Sequence, residues 1–243
     1  MPDKPLLSLV IPAYNEAAPD RLPKSLREVV AFVQQQDFPI EVIIVNNNSS
    51  DGTLEIAEAA AAEYSFIRAI TERTQGKGAA VRTGMFAATG EYLFICDADL
   101  SMPIQEVLKF IPPMAADYDI AIASREAAGA RRIGEPEMRH IMGRVFNFIV
   151  QVIAVRGLKD TQCGFKCFRR EAALSVFPLQ TIDGWAFDVE LLFIAQQKGY
   201  HIVEIPITWI YKEQSKIKPV KDSYNMVLET LRIRLNGWRG IYQ

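Results

Sequence analysis

The sequence contains few of the residues that build disulfide frameworks or zinc sites. Its 243 residues include three cysteines, Cys96, Cys163 and Cys167, and two histidines, His140 and His201. Three cysteines cannot form an even disulfide framework, and with two histidines they offer no plausible zinc quartet. We therefore expect a protein of a reducing, cytoplasmic environment.

Long apolar runs and the common nucleotide fingerprints are also missing. No run of about 20 apolar residues occurs, so no segment is expected to span a bilayer. The N-terminal stretch MPDKPLLSLVIPAYN lacks the basic region, long apolar stretch and cleavage site of a secretory signal. No G-x-G-x-x-G follows the first predicted strand and no G-x-x-x-x-G-K-[ST] occurs, which argues against dinucleotide-binding and P-loop proteins.

Charge is unevenly distributed along a chain whose net charge is only −2. Residues 1–124 carry 9 basic and 17 acidic residues, whereas residues 125–243 carry 18 basic and 12 acidic ones. This division suits a site with a metal on one side and a phosphate or membrane surface on the other. Random variation of the surface would produce the same counts.

Apolar runs alternate with helical patterns through the first half of the chain. Strands buried on both faces and separated by helices predict an α/β fold with a doubly wound, mostly parallel sheet. With 49% hydrophobic residues, the chain can bury one large core, and we expect a single domain over residues 1–243. The predicted strands lie at 6–12, 41–46, 66–70, 91–96 and 119–124.

The second half follows a different pattern. A polar loop is predicted over 125–140 and a long helix over 141–155, followed by a C-terminal extension with a β-hairpin over 201–211 and an amphipathic helix over 223–235. The helix over 141–155 is apolar apart from a narrow polar stripe. It therefore either lies buried in the protein or rests in a membrane interface.

Asp97 and Asp99 directly follow the fourth predicted strand. Ligands of doubly wound sheets bind beyond the carboxyl ends of the strands, and residues i and i+2 of a strand share a face. Two converging carboxylates repel each other unless a cation lies between them, and Mg²⁺ or Mn²⁺ would fill that position. A solvated turn with helix-capping acids is the alternative.

Other polar motifs follow the neighbouring strands. Tyr14 could stack on a base, Glu16 could accept a hydrogen bond from a ribose, and Asp51 is predicted to cap a helix. Lys77 lies between two glycines at a helix start, where a cation and free backbone N–H groups favour an anion. Ordinary capped turns and a glycine-rich loop explain the same residues.

Arginine is concentrated in one part of the second half. Its guanidinium recognises phosphate through a planar fork, so this part of the chain predicts a phosphate site. A nucleic acid is not the expected partner, because the chain is net acidic and no basic face interleaved with aromatic residues accompanies the cluster. The cluster consists of Arg125, Arg131, Arg132, Arg139 and Arg144.

The motifs PAYNE, SSDGT, GKGAAVRTG, DADLS and SR, in this order, resemble family 2 glycosyltransferases of the GT-A fold. In the second half, DTQCGFK, WAFDVELL and SKIKPVKDS resemble the dolichyl-phosphate β-glucosyltransferase branch, which is related to dolichol-phosphate mannose synthases. The resemblance covers roughly residues 6–235. It implies an inverting transfer of glucose from UDP-glucose to a polyprenyl phosphate, with Mg²⁺ or Mn²⁺, by a peripheral protein at the cytosolic face of a membrane.

The resemblance also implies roles for individual residues. Residues 1–124 would bind the nucleotide sugar, and residues 125–243 would bind the acceptor and face the membrane. Asp97 and Asp99 would hold the metal and the diphosphate, and Lys77 would approach the donor. Asp160 and Asp188 would lie close to the sugar as catalytic residues, with Arg125 and Arg139. The nucleotide would be lined by Pro12, Tyr14, Glu16, Asn47 and Asp51, and the acceptor phosphate would be bound by Arg125, Arg131 and Arg139.

The chain departs from the family pattern at two places. Asn46 and Asn47 replace the acids of the usual V-D-D-G-S, and Ser101 stands where the mannose-synthase relatives offer a third metal ligand. UDP-N-acetylglucosamine and GDP-mannose are therefore alternative donors. A catalytically silent nucleotide-binding protein and a nucleotidyltransferase are the alternatives from other functional classes.

Overall fold

A seven-stranded sheet and a separate two-stranded sheet organise the chain. The computed structural model describes residues 4–212 and 219–243, with side chains in the second range described from Ser223 onward. The strands are β1 (Leu7–Ala13), β2 (Ile40–Asn46), β3 (Ile67–Thr71), β4 (Tyr92–Ile95), β5 (Ile120–Ser124), β6 (Arg131–Ile133), β7 (Lys166–Arg169), β8 (Ile202–Pro206) and β9 (Thr208–Ile210).

The large sheet has the strand order β3-β2-β1-β4-β7-β5-β8. Strands β1 to β4 are parallel to one another, and β5 is parallel to β8, whereas β7 runs antiparallel to both β4 and β5 between them. Neighbouring residues of a strand point to opposite faces, so Leu9 packs into the core on one side and Val10 into the core on the other. The predicted mostly parallel α/β sheet is confirmed.

Helices cover both faces of the sheet. The first helix begins at Leu22 and has Pro23 in its first turn, where the proline ring fits. It buries Leu22, Leu26 and Val29, which recur at helical spacing. The helices are α1 (Leu22–Gln34), α2 (Thr53–Glu63), α3 (Lys77–Ala87), α4 (Glu137–Ile153), α5 (Arg170–Val176), α6 (Phe187–Gln197) and α7 (Pro219–Trp238), with 3₁₀ helices over Ile104–Phe110 and Phe177–Leu179.

The predicted C-terminal β-hairpin over 201–211 is not formed. Strand β8 joins the large sheet parallel to β5, and β9 pairs in parallel with β6 in the small sheet. Only Ile207 separates β8 from β9, which is shorter than the two-residue turn that usually joins the strands of a hairpin. The alternation of apolar residues identified both strands, but their partners lie far away in the sequence.

The predicted polar loop over 125–140 also contains more structure than expected. It includes β6, and α4 begins at Glu137 rather than at residue 141. Helices α4 and α7 pack against each other, and each keeps a large apolar face exposed. Within residues 4–212 and 219–243, no helix combines the length and the apolar content needed to cross a bilayer.

Candidate active site

A cavity of about 1470 Å³ lies beyond the carboxyl ends of β1, β2, β4 and β5, where the sheet topology predicts a ligand. Helices α3, α4, α6 and α7, the segment before β7 and the end of β9 also contribute to its walls. Most of the residues predicted from the sequence come together here. The predicted residues that line the cavity are Pro12, Tyr14, Glu16, Asn47, Lys77, Asp97, Asp99, Arg125, Arg139, Asp160 and Asp188.

Asp97 and Asp99 lie in the turn that follows β4. Oδ1 of Asp97 is 2.6 Å from Nζ of Lys77, and Oδ1 of Asp99 accepts a hydrogen bond of 2.9 Å from the backbone N–H of Ser101. Burial and the charge of Asp97 raise the pKa of Asp99. The two carboxylates are thus close enough to repel each other, and the ammonium group of Lys77 offsets part of that repulsion.

Gly164 forms the wall against which Asp97 rests. A Cβ atom at position 164 would lie 2.2 Å from Oδ2 of Asp97 and 2.8 Å from its Cγ. No such distance is tolerated between atoms that are not bonded, so the carboxylate occupies space that only a glycine leaves open. The sequence DTQCGFK therefore contributes a backbone surface to this site as well as a side chain.

The donor atoms at this position suit a hard divalent cation. Mg²⁺ typically binds one or two carboxylates and completes its shell with water and substrate phosphates, and Asp97 with Asp99 supplies that number. Among the residues that the structure describes, no group of three or more histidine, cysteine or acidic side chains could hold a metal alone. Ser101, at the place of the third ligand in some relatives, also lines the cavity.

The glycines around Lys77 serve a different purpose from the predicted anion site. The backbone N–H groups of Gly78 and Ala79 donate to the carbonyl of Asp183, and that of Gly76 donates to Oδ1 of Asn47. These amides are therefore not available to an anion, and the prediction of free N–H groups is wrong for them. Gly76 has φ +146°, and a Cβ there would lie 2.1 Å from the carbonyl oxygen of Asp183.

The ammonium group of Lys77 remains directed into the cavity. The ring centroids of Trp185 and Phe187 lie 5.8 and 6.0 Å from its Nζ. The nearby carboxylates of Asp97 and Asp188 raise the pKa of Lys77 despite its burial, so the group is a cation at neutral pH. An anion at this site would therefore bind to the side chain and not to the start of α3.

Asn47 connects β2 to the loop before α3. Its Nδ2 donates to the carbonyl of Thr74 at 2.6 Å and to that of Glu72 at 3.3 Å, while its Oδ1 accepts from Gly76. A carboxylate could not donate these two hydrogen bonds. The asparagine in place of the usual acid therefore holds this loop against the end of β2.

Asp51 lies outside the cavity lining, contrary to its predicted place beside the nucleotide. Its carboxylate accepts hydrogen bonds from the backbone N–H groups of Ala17 at 3.0 Å and Thr53 at 3.1 Å. It therefore joins the loop after β1 to the start of α2. Glu16, which does line the cavity, is bound by both Nε and Nη2 of Arg21.

Asp160 and Arg125 form a buried ion pair. Nε and Nη2 of Arg125 donate to the two carboxylate oxygens of Asp160 at 2.7 and 2.9 Å, and the backbone N–H of Arg125 adds a third bond. The charge and hydrogen bonds of Arg125 overcome burial and lower the pKa of Asp160 to about 2. The Arg125 guanidinium also lies 5.3 Å from the ring of Trp209.

Asp188 pairs with a buried lysine that the sequence did not suggest. Nζ of Lys166 is 2.7 Å from Oδ1 of Asp188, and the Lys166 side chain is fully buried. Burial raises the pKa of Asp188 although Lys166 and Lys77 oppose that effect. Lys166 was missed because one lysine within GFKCF is also typical of an exposed strand position.

The predicted arginine cluster is only partly directed into the cavity. Arg131 lies outside the lining, whereas Arg132 lines it and contacts Glu126 and Glu135, because neighbouring residues of β6 point to opposite sides. Arg139 lines the cavity with its guanidinium 5.1 Å from the ring of Tyr211. Among the described residues, no carboxylate forms an ion pair with Arg139.

Comparison with known protein sequences identifies the family of this chain. The profile of "Glycosyl transferase family 2" matches residues 8–177. Dolichyl-phosphate beta-glucosyltransferase of Homo sapiens is 35% identical over 98% of this chain and 77% of that protein. The protein of the same name from Saccharomyces cerevisiae is 33% identical over 98% of this chain and 76% of its own length. The resemblance predicted from the motifs is confirmed.

Solved structures show the same fold. Glucosyl-3-phosphoglycerate synthase from Mycobacterium tuberculosis, in complex with Mn²⁺, UDP-glucose and phosphoglyceric acid, superposes with a TM-score of 0.68 at 17% identity. The match covers 96% of this chain and 80% of that one. The same enzyme with Mg²⁺ and UDP gives a TM-score of 0.64 over 96% and 79% of the two chains. The predicted GT-A fold is confirmed.

Proposed function

The chain belongs to glycosyl transferase family 2, and from that membership we propose that it transfers glucose from UDP-glucose to a polyprenyl phosphate of the dolichyl type. The observation that carries this proposal is the cavity itself. It combines an acidic pair, Asp97 and Asp99, with the cations Lys77 and Arg139 and with the apolar side of α4. A diphosphate, a second phosphate and a lipid chain require these three surfaces.

The relatives support the choice of donor and acceptor. The proteins that are 32–35% identical over at least 96% of this chain are named dolichyl-phosphate beta-glucosyltransferases. The neighbouring glucosyl-3-phosphoglycerate synthase has been crystallised with UDP-glucose and Mn²⁺. Glucose is therefore a better supported sugar than N-acetylglucosamine or mannose, and UDP a better supported nucleotide than GDP.

We assign the donor mainly to residues 1–124. Asp97 and Asp99 would hold Mg²⁺ or Mn²⁺, which supplies positive charge to stabilise the UDP leaving group. Pro12, Tyr14 and Glu16 would surround the nucleotide. Lys77 lies 2.6 Å from Asp97, so its ammonium group is placed to contact the diphosphate as well.

We assign the acceptor mainly to residues 125–243. A phosphate monoester has a second pKa of about 6 and is already nucleophilic at neutral pH, so its attack on the sugar needs no strong general base. Asp160 is ionised and bound to Arg125 at neutral pH, which suits orientation of Arg125 rather than proton abstraction. Arg139 would hold the incoming phosphate and reduce its repulsion from the donor.

A membrane surface is the proposed location of the acceptor. Exposed apolar side chains of α4 recur at helical spacing, and a second exposed stripe runs along α7 on the side opposite its buried residues. The first four residues of the α4 stripe also line the cavity, which gives a lipid chain an apolar route away from the phosphate site. The stripes consist of Met138, Ile141, Met142, Val145, Phe148 and Val152 on α4, and Tyr224, Leu228, Leu231, Leu235 and Trp238 on α7.

Transfer of labelled sugar tests the reaction directly. The protein is incubated with Mn²⁺, a short polyprenyl phosphate and one of several radiolabelled nucleotide sugars, and the label in the organic phase is counted. We expect label from UDP-glucose and almost none with Asp99→Ala. Label only from UDP-N-acetylglucosamine or GDP-mannose would make the donor wrong. Metal-dependent UDP binding without transfer would instead support the silent protein, and pyrophosphate release from UTP would support a nucleotidyltransferase.

A further inference from the structure

Two arginines and a histidine of the cavity wall converge on a single carboxylate. Oε1 of Glu126 contacts Nη2 of Arg132 and lies 3.0 Å from Nε2 of His140. Its Oε2 lies 3.7 Å from Nη1 of Arg144. We call these four residues the Glu126 cluster. All four line the same cavity as Asp97 and Asp99.

The cluster joins two parts of the acceptor half. Glu126 belongs to the loop after β5, Arg132 to β6, and His140 and Arg144 to successive turns of α4. The Glu126 side chain is 18% exposed, whereas those of His140 and Arg144 are 42% and 47% exposed. An anion entering the cavity could therefore reach the side chains of His140 and Arg144, and Glu126 would be its competitor.

A phosphate monoester matches this group of donors better than a carboxylate does. It carries about −1.5 to −2 charges at pH 7 and presents three strong acceptor oxygens, whereas a carboxylate carries one charge on two oxygens. Arg132 already has a second carboxylate partner in Glu135, so it stays in place if Glu126 moves. Arg132 is thus held in position before an anion arrives.

We propose that Glu126 occupies the place of the acceptor's phosphate and that Arg132, His140 and Arg144 bind this phosphate when the carboxylate moves away. This inference rests on the proposed function and adds the group of basic side chains that recognises the acceptor. Arg139, which lies one residue before His140 in α4, would complete the group. The opposite possibility is a purely structural ion cluster that ties the loop to α4.

The two possibilities predict opposite effects of Glu126→Gln. If the carboxylate competes with the phosphate, its neutralisation strengthens phosphate binding. If it organises the cations, the same change weakens binding. Glu137→Gln is the matched control because it removes the same charge from an exposed residue at the start of α4 that does not line the cavity.

Calorimetric titration distinguishes competition by Glu126 from a structural role of the cluster. The whole chain is titrated with a ten-carbon prenyl phosphate and with the corresponding prenyl alcohol. We expect Glu126→Gln to bind the phosphate at least about fivefold more tightly, the scale of one partly exposed ion pair. The weak affinity for the alcohol should not change, and Glu137→Gln should resemble the wild type. Arg144→Gln, at a more exposed position, should weaken phosphate binding severalfold and leave UDP binding intact.

Unchanged or weaker phosphate binding by Glu126→Gln, with normal binding by the wild type, would overturn this inference and leave the proposed function standing. Undiminished phosphate binding by Arg144→Gln would also overturn it. If neither the wild type nor Glu126→Gln binds the prenyl phosphate, both the inference and the proposed acceptor are wrong.

Discussion

Replacement of Gly164 by alanine gives the sharpest test of the acidic pair, because it adds one methyl group next to the Asp97 carboxylate. The added Cβ would lie 2.2 Å from Oδ2 and 2.8 Å from both Cγ and Oδ1 of Asp97. An ordinary contact of this kind is 3.4 Å or longer. The carboxylate, or the backbone around residue 164, therefore has to move by about 1 Å.

A displacement of this size should affect catalysis far more than binding of the nucleotide base. A misplacement of about 1 Å at a reacting centre costs roughly 100-fold in rate, which corresponds to about 2.7 kcal/mol. We therefore expect Gly164→Ala to lower kcat/KM for glucosyl transfer about 100-fold. The UDP affinity measured in EDTA should change little, whereas the extra affinity that Mn²⁺ confers on UDP should fall.

Gly52→Ala is the control for this experiment. Gly52 lies at the start of α2 with φ −70°, and a Cβ there would make an ordinary contact of 3.8 Å with Ala17. It should retain wild-type kinetics, and both variants should be checked by circular dichroism and thermal unfolding. Transfer by Gly164→Ala within threefold of the wild-type rate would refute the argument that Asp97 must keep its present position.

Three further predictions concern the ion pairs and the apolar face. Asp160→Asn leaves the Arg125 charge buried and should lower the free energy of unfolding at pH 7 by about 3–5 kcal/mol, measured with urea. Because the pKa of Asp160 is about 2, below its ordinary 3.8, its contribution to the free energy of unfolding is complete above pH 4. The difference in this free energy between wild type and variant should therefore shrink as the pH falls from 4 to 2. Lys77→Met should lower the Tm of the metal-free protein, because the Asp97 and Asp99 carboxylates lose the cation that offsets their repulsion. Mn²⁺ should therefore raise the Tm of this variant more than it raises the Tm of the wild type. An equal rise in both proteins would contradict the pairing of Lys77 with Asp97. Phe148→Ser removes an exposed aromatic side chain from α4. It should reduce flotation with anionic vesicles by roughly tenfold, which is the scale of burying one aromatic side chain. If the variant floats like the wild type, α4 is not part of the proposed membrane surface.

Local patterns in the sequence predicted the sheet and the position of the site. Apolar runs marked β1 to β5, and polar residues directly after them lie at one edge because the carboxyl ends of parallel strands meet there. Side-chain direction was less predictable. The two consecutive arginines of β6 look alike in the sequence, although Arg132 points into the cavity and Arg131 does not. Which of them points into the cavity depends on the pairing of β6 with the distant β9.

The roles of backbone positions were the least predictable. The sequence gives Gly164 no special role. The pairing of β7 with β4 brings the turn before β7, which contains Gly164, against Asp97. The family resemblance puts Asn47 beside the nucleotide, yet its amide is directed to the loop before α3. Contacts between segments that are distant in the sequence decide both cases, and they leave no local pattern.

The ion pairs of the cavity indicate which cations are available to the substrates. Lys77 and Arg125 line the cavity and lie 2.6 and 2.7 Å from an aspartate, so an incoming anion must share these two cations with a carboxylate. Arg139 stacks on Tyr211 and forms no ion pair within the described residues, so it can bind a phosphate without losing a partner. Breaking one of these pairs would leave a buried charge without a partner, which is costly. The pairs therefore hold their side chains in place before substrates arrive. Under the proposed function, recognition of the second anion would therefore depend on Arg139 and on those pairs, such as Glu126 with Arg144, that are exposed enough to open.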